Sequence, residues 1–133
     1  MFVDTSVLVA LLTGEPDAPA LAHDLEQAGR RLTSPLVRLE ACAVLATRLD
    51  IAPTLAQSLF DDLLAEADIE IIALTDPIGR VAVACFETYG KGRHPARLNI
   101  VDCFSYACAK SLGVSLLFKG EDFARTDVNT WVR

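Results

Sequence analysis

Short apolar and β-branched runs alternate along this chain with longer amphipathic stretches, and no other feature limits the available folds so strongly. Residues 1–4, 31–33, 69–74 and 114–118 have strand length and strand composition. The segments between them carry helical periodicity and helix punctuation. Residues 5–12 predict a helix with Thr5 or Ser6 available as its cap, and residues 17–28 a second one closed by Gly29. Ser34-Pro35 is an N-cap followed by proline at the first helical position, opening a helix that runs to about Asp50. Residues 53–67 predict another, with Leu55, Leu59, Leu63 and Leu64 on one face and Asp61, Asp62 and Glu66 outside it. Asp76-Pro77 caps the next helix, which extends to Tyr89, and residues 99–112 form the last, ending at Gly113. The tail from Lys119 onward is expected to be loop with a short helix and a terminal edge strand. Apolar strands joined by helices of this length require crossover connections, hence a parallel sheet covered on both faces. Ligands of such open sheets bind beyond the carboxyl ends of the strands.

With 133 residues the chain is expected to form a single domain, residues 1–133, with one principal site. Its 52% apolar and 23% charged residues suit a compact fold. The apolar start has no basic region before it and breaks at Gly14-Glu15-Pro16, unlike a secretion signal, and no run is long enough to span a membrane. Cys42, Cys85, Cys103 and Cys108 lack metal-site spacing and lie in apolar surroundings, which predicts buried thiols and a cytoplasmic protein. A net charge of −6 argues against a protein that coats nucleic acid through its own cations, though not against a nuclease whose acids hold metal.

Four acids fall where a site would form. Asp4 is the only charged residue among the first fourteen and follows a buried strand. Glu40 lies within the apolar helix LVRLEACAVLATRL, on the side of Leu36, Ala43 and Thr47 and nearly opposite Arg38, so it is expected to face inward. Asp102 follows Asn99 by three residues, the spacing of a capping box, which by itself explains an acid there. Asp122 follows the strand ending in LLF, with Glu121 and Asp127 as neighbours of the same type, and spacing does not say which of the three turns inward. Buried carboxylates without partners are costly, and several together raise one another's pKa unless a cation intervenes. An all-oxygen set without histidine suits Mg²⁺ or Mn²⁺, ions that bind phosphate and activate water. Phosphodiester hydrolysis follows, with Asp4 and Asp102 as principal ligands and Glu40 and Asp122 as additional or water-mediated ones. Thr5 and Ser6 are placed to donate to Asp4 or to a phosphate. Lys91, Arg93, His94 and Arg97 form a basic loop that either leads phosphates to the acids or is simply solvated; His94 is not assigned a catalytic role, and His23 lies on a polar helix face.

Taken in order, VDTSVLVALL, SPLVRLEACAVL, GKGRHPARLNIVDCFSYACAK and LLFKGEDFARTDV make the chain resemble PIN-domain ribonuclease toxins of the VapC type over nearly its whole length. The resemblance implies a three-layer α/β/α sandwich with a mainly parallel central sheet of four to five strands. It also implies metal-dependent endoribonuclease activity, homodimerisation and inhibition by a small VapB-like antitoxin. Residue by residue it carries the acidic set onto Asp4, Glu40, Asp102 and Asp122, with one or two metal ions. Relatives often have glycine before the third acid, where this chain has Val101, a side chain that narrows the approach. A phosphoacceptor receiver domain would have two adjacent acids after its first strand, and a dehalogenase-type phosphatase a second aspartate at position 6, where Ser6 stands. A non-catalytic binding module of the same fold has no need of all four acids.

Overall fold

The computed structural model describes residues 1–133. Its elements run β1 (Phe2–Val3), α1 (Thr5–Thr13), α2 (Ala18–Gln27), β2 (Arg31–Thr33), α3 (Pro35–Leu49), α4 (Pro53–Glu66), β3 (Ile69–Ile71), α5 (Asp76–Tyr89), α6 (Ile100–Leu112) and β4 (Leu116–Leu117), with one 3₁₀ turn at Phe123–Arg125. The four strands form one sheet in the order β3-β2-β1-β4, every pairing parallel, flanked by the six helices. In place of the expected terminal edge strand, a single parallel bridge joins Leu116 to Thr130.

Strand order decides where a site can form. The chain moves outward from β1 to β2 and β3, then crosses back through α5 and α6 to place β4 on the other side of β1. The order therefore reverses between β1 and β4, and the crevice beyond their carboxyl ends is the expected ligand position. Both strands are apolar on both faces: Phe2, Val3 and Leu116 are fully buried, and Leu117 nearly so. A rigid mount results at the one place where two chain ends diverge.

Local chemistry explains most element boundaries. Ser34 Oγ accepts the Val37 N–H at the start of α3, and Asn99 and Asp102 form a reciprocal capping box on α6. Asp50 and Gly113 adopt left-handed conformations that close α3 and α6. The cap of α1 differs from expectation. Asp4, rather than Thr5 or Ser6, is the N-cap, because its carboxylate accepts the Ser6 N–H at 3.1 Å.

The apolar side of α4 is only partly covered. Ala56, Phe60 and Leu64 are buried, whereas Leu55 and Leu59 are 51% and 36% exposed and Leu63 is half-buried. Phe60 sets the helix rotation: its ring fills the core with Arg38 stacked over it at 5.1 Å, and the leucines one residue earlier turn outward. All four cysteines are buried free thiols, and burial pushes each thiol pKa up, for Cys108 to about 12. No helix is long and apolar enough to cross a membrane.

Candidate metal centre

Asp4 ends β1 and begins α1, so the strand aims its carboxylate and the helix start receives it. Oδ2 accepts from the Ser6 hydroxyl at 2.7 Å and from the Ser6 N–H at 3.1 Å. Ser6 is held in turn, its Oγ accepting the Lys119 N–H at 2.9 Å from the loop after β4. The other carboxylate oxygen, Oδ1, is buried and has no partner. Burial therefore raises the Asp4 pKa against the opposing hydrogen bonds from Ser6. The Ser105 hydroxyl lies nearby but forms no well-oriented hydrogen bond.

Glu40 projects from the middle of α3 into the same cavity as Asp4. It shares that face with Val44 and Arg48, four and eight residues on, while Ala43 and Thr47 turn to solvent. The expected companions were thus displaced by one helical step, although the inward direction of Glu40 is as expected. Burial raises its pKa first, the neighbouring Thr5 hydroxyl opposes this, and the charge of Asp4 adds to the rise.

Asp102 does two things at once. Its Oδ2 accepts the Asn99 N–H at 3.0 Å while Asn99 Oδ1 accepts the Asp102 N–H at 2.8 Å, fixing the first turn of α6. The carboxyl is nevertheless pushed up to about 7, chiefly by burial, with the Asn99 N–H opposing and the charges of Asp4, Glu40 and Asp122 adding to it. The capping N–H works in the opposite direction, so burial first and the neighbouring acids second set the sign.

Asp122 reaches the group through a built turn. Gly120 at φ +99° reverses the chain after β4, a conformation that disfavours any side chain. Phe123 is buried and meets Phe118 edge to face at 5.3 Å, which anchors the turn beside Asp122. Glu121 is exposed and does not line the cavity, and Asp127 is engaged by the Tyr106 hydroxyl and by Lys110 Nζ at 2.9 Å. Of the three tail acids, Asp122 is the one that faces Asp4, Glu40 and Asp102.

The four acids line one cavity of about 430 Å³. Thr5 and Ser6 line it too, together with Glu15, Arg48 and Lys119, three residues that spacing did not single out. For Arg48 a signal existed, since it follows Glu40 by eight residues on one helix face. Lys119 Nζ bonds Glu15 and Asp17 at 3.1 Å each, and Arg48 stands 3.9 Å from Glu15. In the basic loop, Lys91 and Arg97 border an adjoining cavity with Asn99, Asp102 and Asp122. Arg93 turns away and stacks 5.7 Å from the Phe86 ring. His94 is structural: Nδ1 accepts the Ala96 N–H, and the ring meets Tyr89 edge to face.

No three His, Cys, Asp or Glu side chains approach closely enough to surround an ion by themselves. The donors that line the cavity are carboxylate and hydroxyl oxygens with no histidine or thiolate, a set that suits Mg²⁺ with several retained waters rather than zinc. The unpartnered Asp4 Oδ1 is the atom such an ion would satisfy.

Comparison with known proteins agrees with this architecture. The family model described as PIN domain matches residues 1–129. Ribonuclease VapC30 of Mycobacterium tuberculosis is 42% identical over 130 residues, spanning 98% of this chain and 97% of that protein. The crystal structure of VapC20 from the same organism, described as a Sarcin-Ricin loop cleaving toxin, superposes with a TM-score of 0.74 at 20% identity over 96% of this chain and 95% of that one. VapBC2 from Rickettsia felis, bound to a DNA fragment from its promoter, gives 0.68 at 17% identity over 97% and 94%. A reversed-order parallel sheet, acids at the reversal and near full-length identity to VapC ribonucleases lead to one assignment: this chain belongs to the PIN domain family.

Proposed function

We propose that the protein is an endoribonuclease toxin that uses Mg²⁺ or Mn²⁺ to hydrolyse RNA phosphodiester bonds and is neutralised by a VapB-like antitoxin. The observation that carries this reading is Asp4, whose buried Oδ1 has no partner and which lines one cavity with three further carboxylates. Natural proteins rarely leave such an atom unanswered, and a cluster of four acids makes an answering cation more necessary. The names of the VapC relatives support the activity, and the VapBC complex among the structural neighbours supports the antitoxin.

In this reading Asp4 and Asp102 are the principal metal ligands. Glu40 and Asp122 act as further or water-mediated ligands and accept the proton of the attacking water. Bound, the ion supplies positive charge to the scissile phosphate and activates water for attack. Ser6 keeps Asp4 in one orientation, and Thr5 borders Glu40, so both stand where a phosphate oxygen would arrive. Arg97 is the loop cation placed to receive RNA; Arg93, stacked on Phe86, would need to swing away to do so. A homodimer in the cytoplasm, with its thiols reduced, completes the proposal.

Purified, antitoxin-free protein incubated with structured RNA and Mg²⁺ or Mn²⁺ tests it. Cleavage should require the ion and disappear in Asp4→Asn and Asp102→Asn. Cleavage that survives both substitutions would remove these acids from the reaction, and no cleavage by the wild type would favour a binding module.

A further inference from the structure

The acids stand where two concavities meet. One holds Arg48 on its wall, the other Lys91 and Arg97, and both include Asp102 and Asp122. The two therefore adjoin at these carboxylates, with Arg48 on the wall of one and Lys91 and Arg97 on the wall of the other.

Those cations differ from most of the protein's twelve Lys and Arg side chains. Arg30, Arg38, Arg80, Lys110, Lys119 and Arg133 are each paired with a carboxylate at 3.2 Å or closer. Arg31 donates to main-chain oxygens and Arg93 covers Phe86. Lys91 and Arg97 have neither an acid nor an aromatic partner, and Arg48 meets Glu15 only at 3.9 Å. Arg125, exposed on the 3₁₀ turn, is likewise unpaired but lines neither concavity, so three of the four cations without a close partner stand beside the acids.

The loop that presents Arg97 is rigidly built. Arg97 has φ +54°, a left-handed conformation unusual for a long side chain. It persists because the Arg97 N–H donates to His94 O at 3.0 Å and the Leu98 N–H to Tyr89 O at 3.1 Å, while Ala96 and Leu98 are fully buried on either side. At Gly90, where the loop leaves α5, any Cβ would collide with the Phe86 carbonyl oxygen. The Lys91 N–H donates to Leu98 O at 2.9 Å and closes the loop at its base.

We propose that a single RNA strand crosses Asp102 and Asp122, with a phosphate on one side of the scissile bond held by Arg48 and a phosphate on the other side held by Lys91 and Arg97. This rests on the ribonuclease reading and adds the path of the substrate to it. Phosphate contacts of this kind fix the register of a strand without reading its bases. Glu15 Oε1 is shared by Lys119 Nζ at 3.1 Å and Arg48 at 3.9 Å, so Arg48 is the more loosely held of the two cations.

Binding of a labelled, unstructured oligoribonucleotide of about 12 nucleotides, within the span such grooves cover, tests the path. Every protein carries Asp4→Asn to prevent cleavage, with Mg²⁺ present and the salt concentration varied. Arg48→Gln and Arg97→Asn, the latter compatible with the left-handed backbone, should each weaken binding roughly 5-fold. Each should also reduce the slope of log affinity against log salt by about 0.7. Arg48→Lys should restore the slope, and Arg80→Ala on α5 should change nothing. Shortening the RNA from one end should abolish the effect of Arg48→Gln alone, and from the other end that of Arg97→Asn alone. Wild-type affinity in either variant, loss of both effects on trimming the same end, or equal binding of a duplex would overturn the path. Binding of the expected pattern by a protein whose wild type never cleaves would sustain the path and refute the ribonuclease; cleavage with binding indifferent to both arginines would do the reverse.

Discussion

Two aspartates are almost wholly withdrawn from water: Asp24 on α2, 2% exposed, and Asp4 at the end of β1, 4% exposed. Their surroundings are opposite. Arg133 Nε donates to both Asp24 oxygens at 3.0 Å, and its terminal nitrogen stands 2.9 Å away. Asp4 receives only Ser6, keeps one oxygen without a partner, and faces three other acids. Burial of a carboxylate is therefore no sign of function in itself. An unanswered charge that converges with others of the same sign is, because a closed ion pair stabilises a fold whereas an open set of acids destabilises it until a cation arrives.

Exchanging those two environments for neutral ones tests the contrast most severely. Asp4→Asn is expected to reduce RNA cleavage on the order of 10³-fold while raising the melting temperature of the metal-free protein, as read by thermal denaturation. A variant that loses stability as well as activity would make Asp4 a structural acid like Asp24. Arg133→Ala should behave in the opposite way. It strands Asp24 in the interior without its partner and should lower the melting temperature. Cleavage measured well below its melting temperature should be unchanged.

A pH series sharpens the contrast at a smaller scale. The Asp102 carboxyl is raised from 3.8 to about 7, so the folded protein holds that proton more tightly than the unfolded chain does. Its stabilising contribution is complete below the unfolded value and is lost as pH rises through about 7. Without divalent ions, wild type should thus lose stability relative to Asp102→Asn between about pH 4 and 7, by roughly 1–2 kcal/mol once partial exposure is allowed for. Adding Mg²⁺ at pH 8 should reverse the loss, and equal pH profiles would show that neither burial nor the neighbouring acids raise the Asp102 carboxyl. The smallest effect belongs to Asp127. Tyr106 and Lys110 hold its pKa low, so its contribution is present above the unfolded value and fades as pH falls. Asp127→Asn should cost at most about 1 kcal/mol near neutrality and leave cleavage intact, whereas loss of cleavage would make Asp127 rather than Asp122 the fourth acid.

Much of this architecture was legible along the chain. Strand and helix order follows from period and punctuation, and the capping box at Asn99 and Asp102 appears as expected. The strands are shorter than their apolar runs, as at Leu116–Leu117, because only residues with a neighbouring strand to bond can belong to a ladder. The leucines of α4 mark its apolar side, but which of them is covered is set by Phe60: the helix turns to suit the larger ring and leaves Leu55 and Leu59 exposed. Periodicity names candidate faces; packing selects among them.

The sequence by itself determined that an α/β sheet would form and that acids would follow β1 and β4, since local periodicity and strand ends are written within a few residues of each other. Only the tertiary structure decided that β4 returns beside β1, that Asp122 rather than Glu121 or Asp127 faces Asp4, and that Arg48, Glu15 and Lys119 share the cavity. Those outcomes depend on which distant segments meet at the reversal of strand order, and distance through space is not encoded in spacing along a chain.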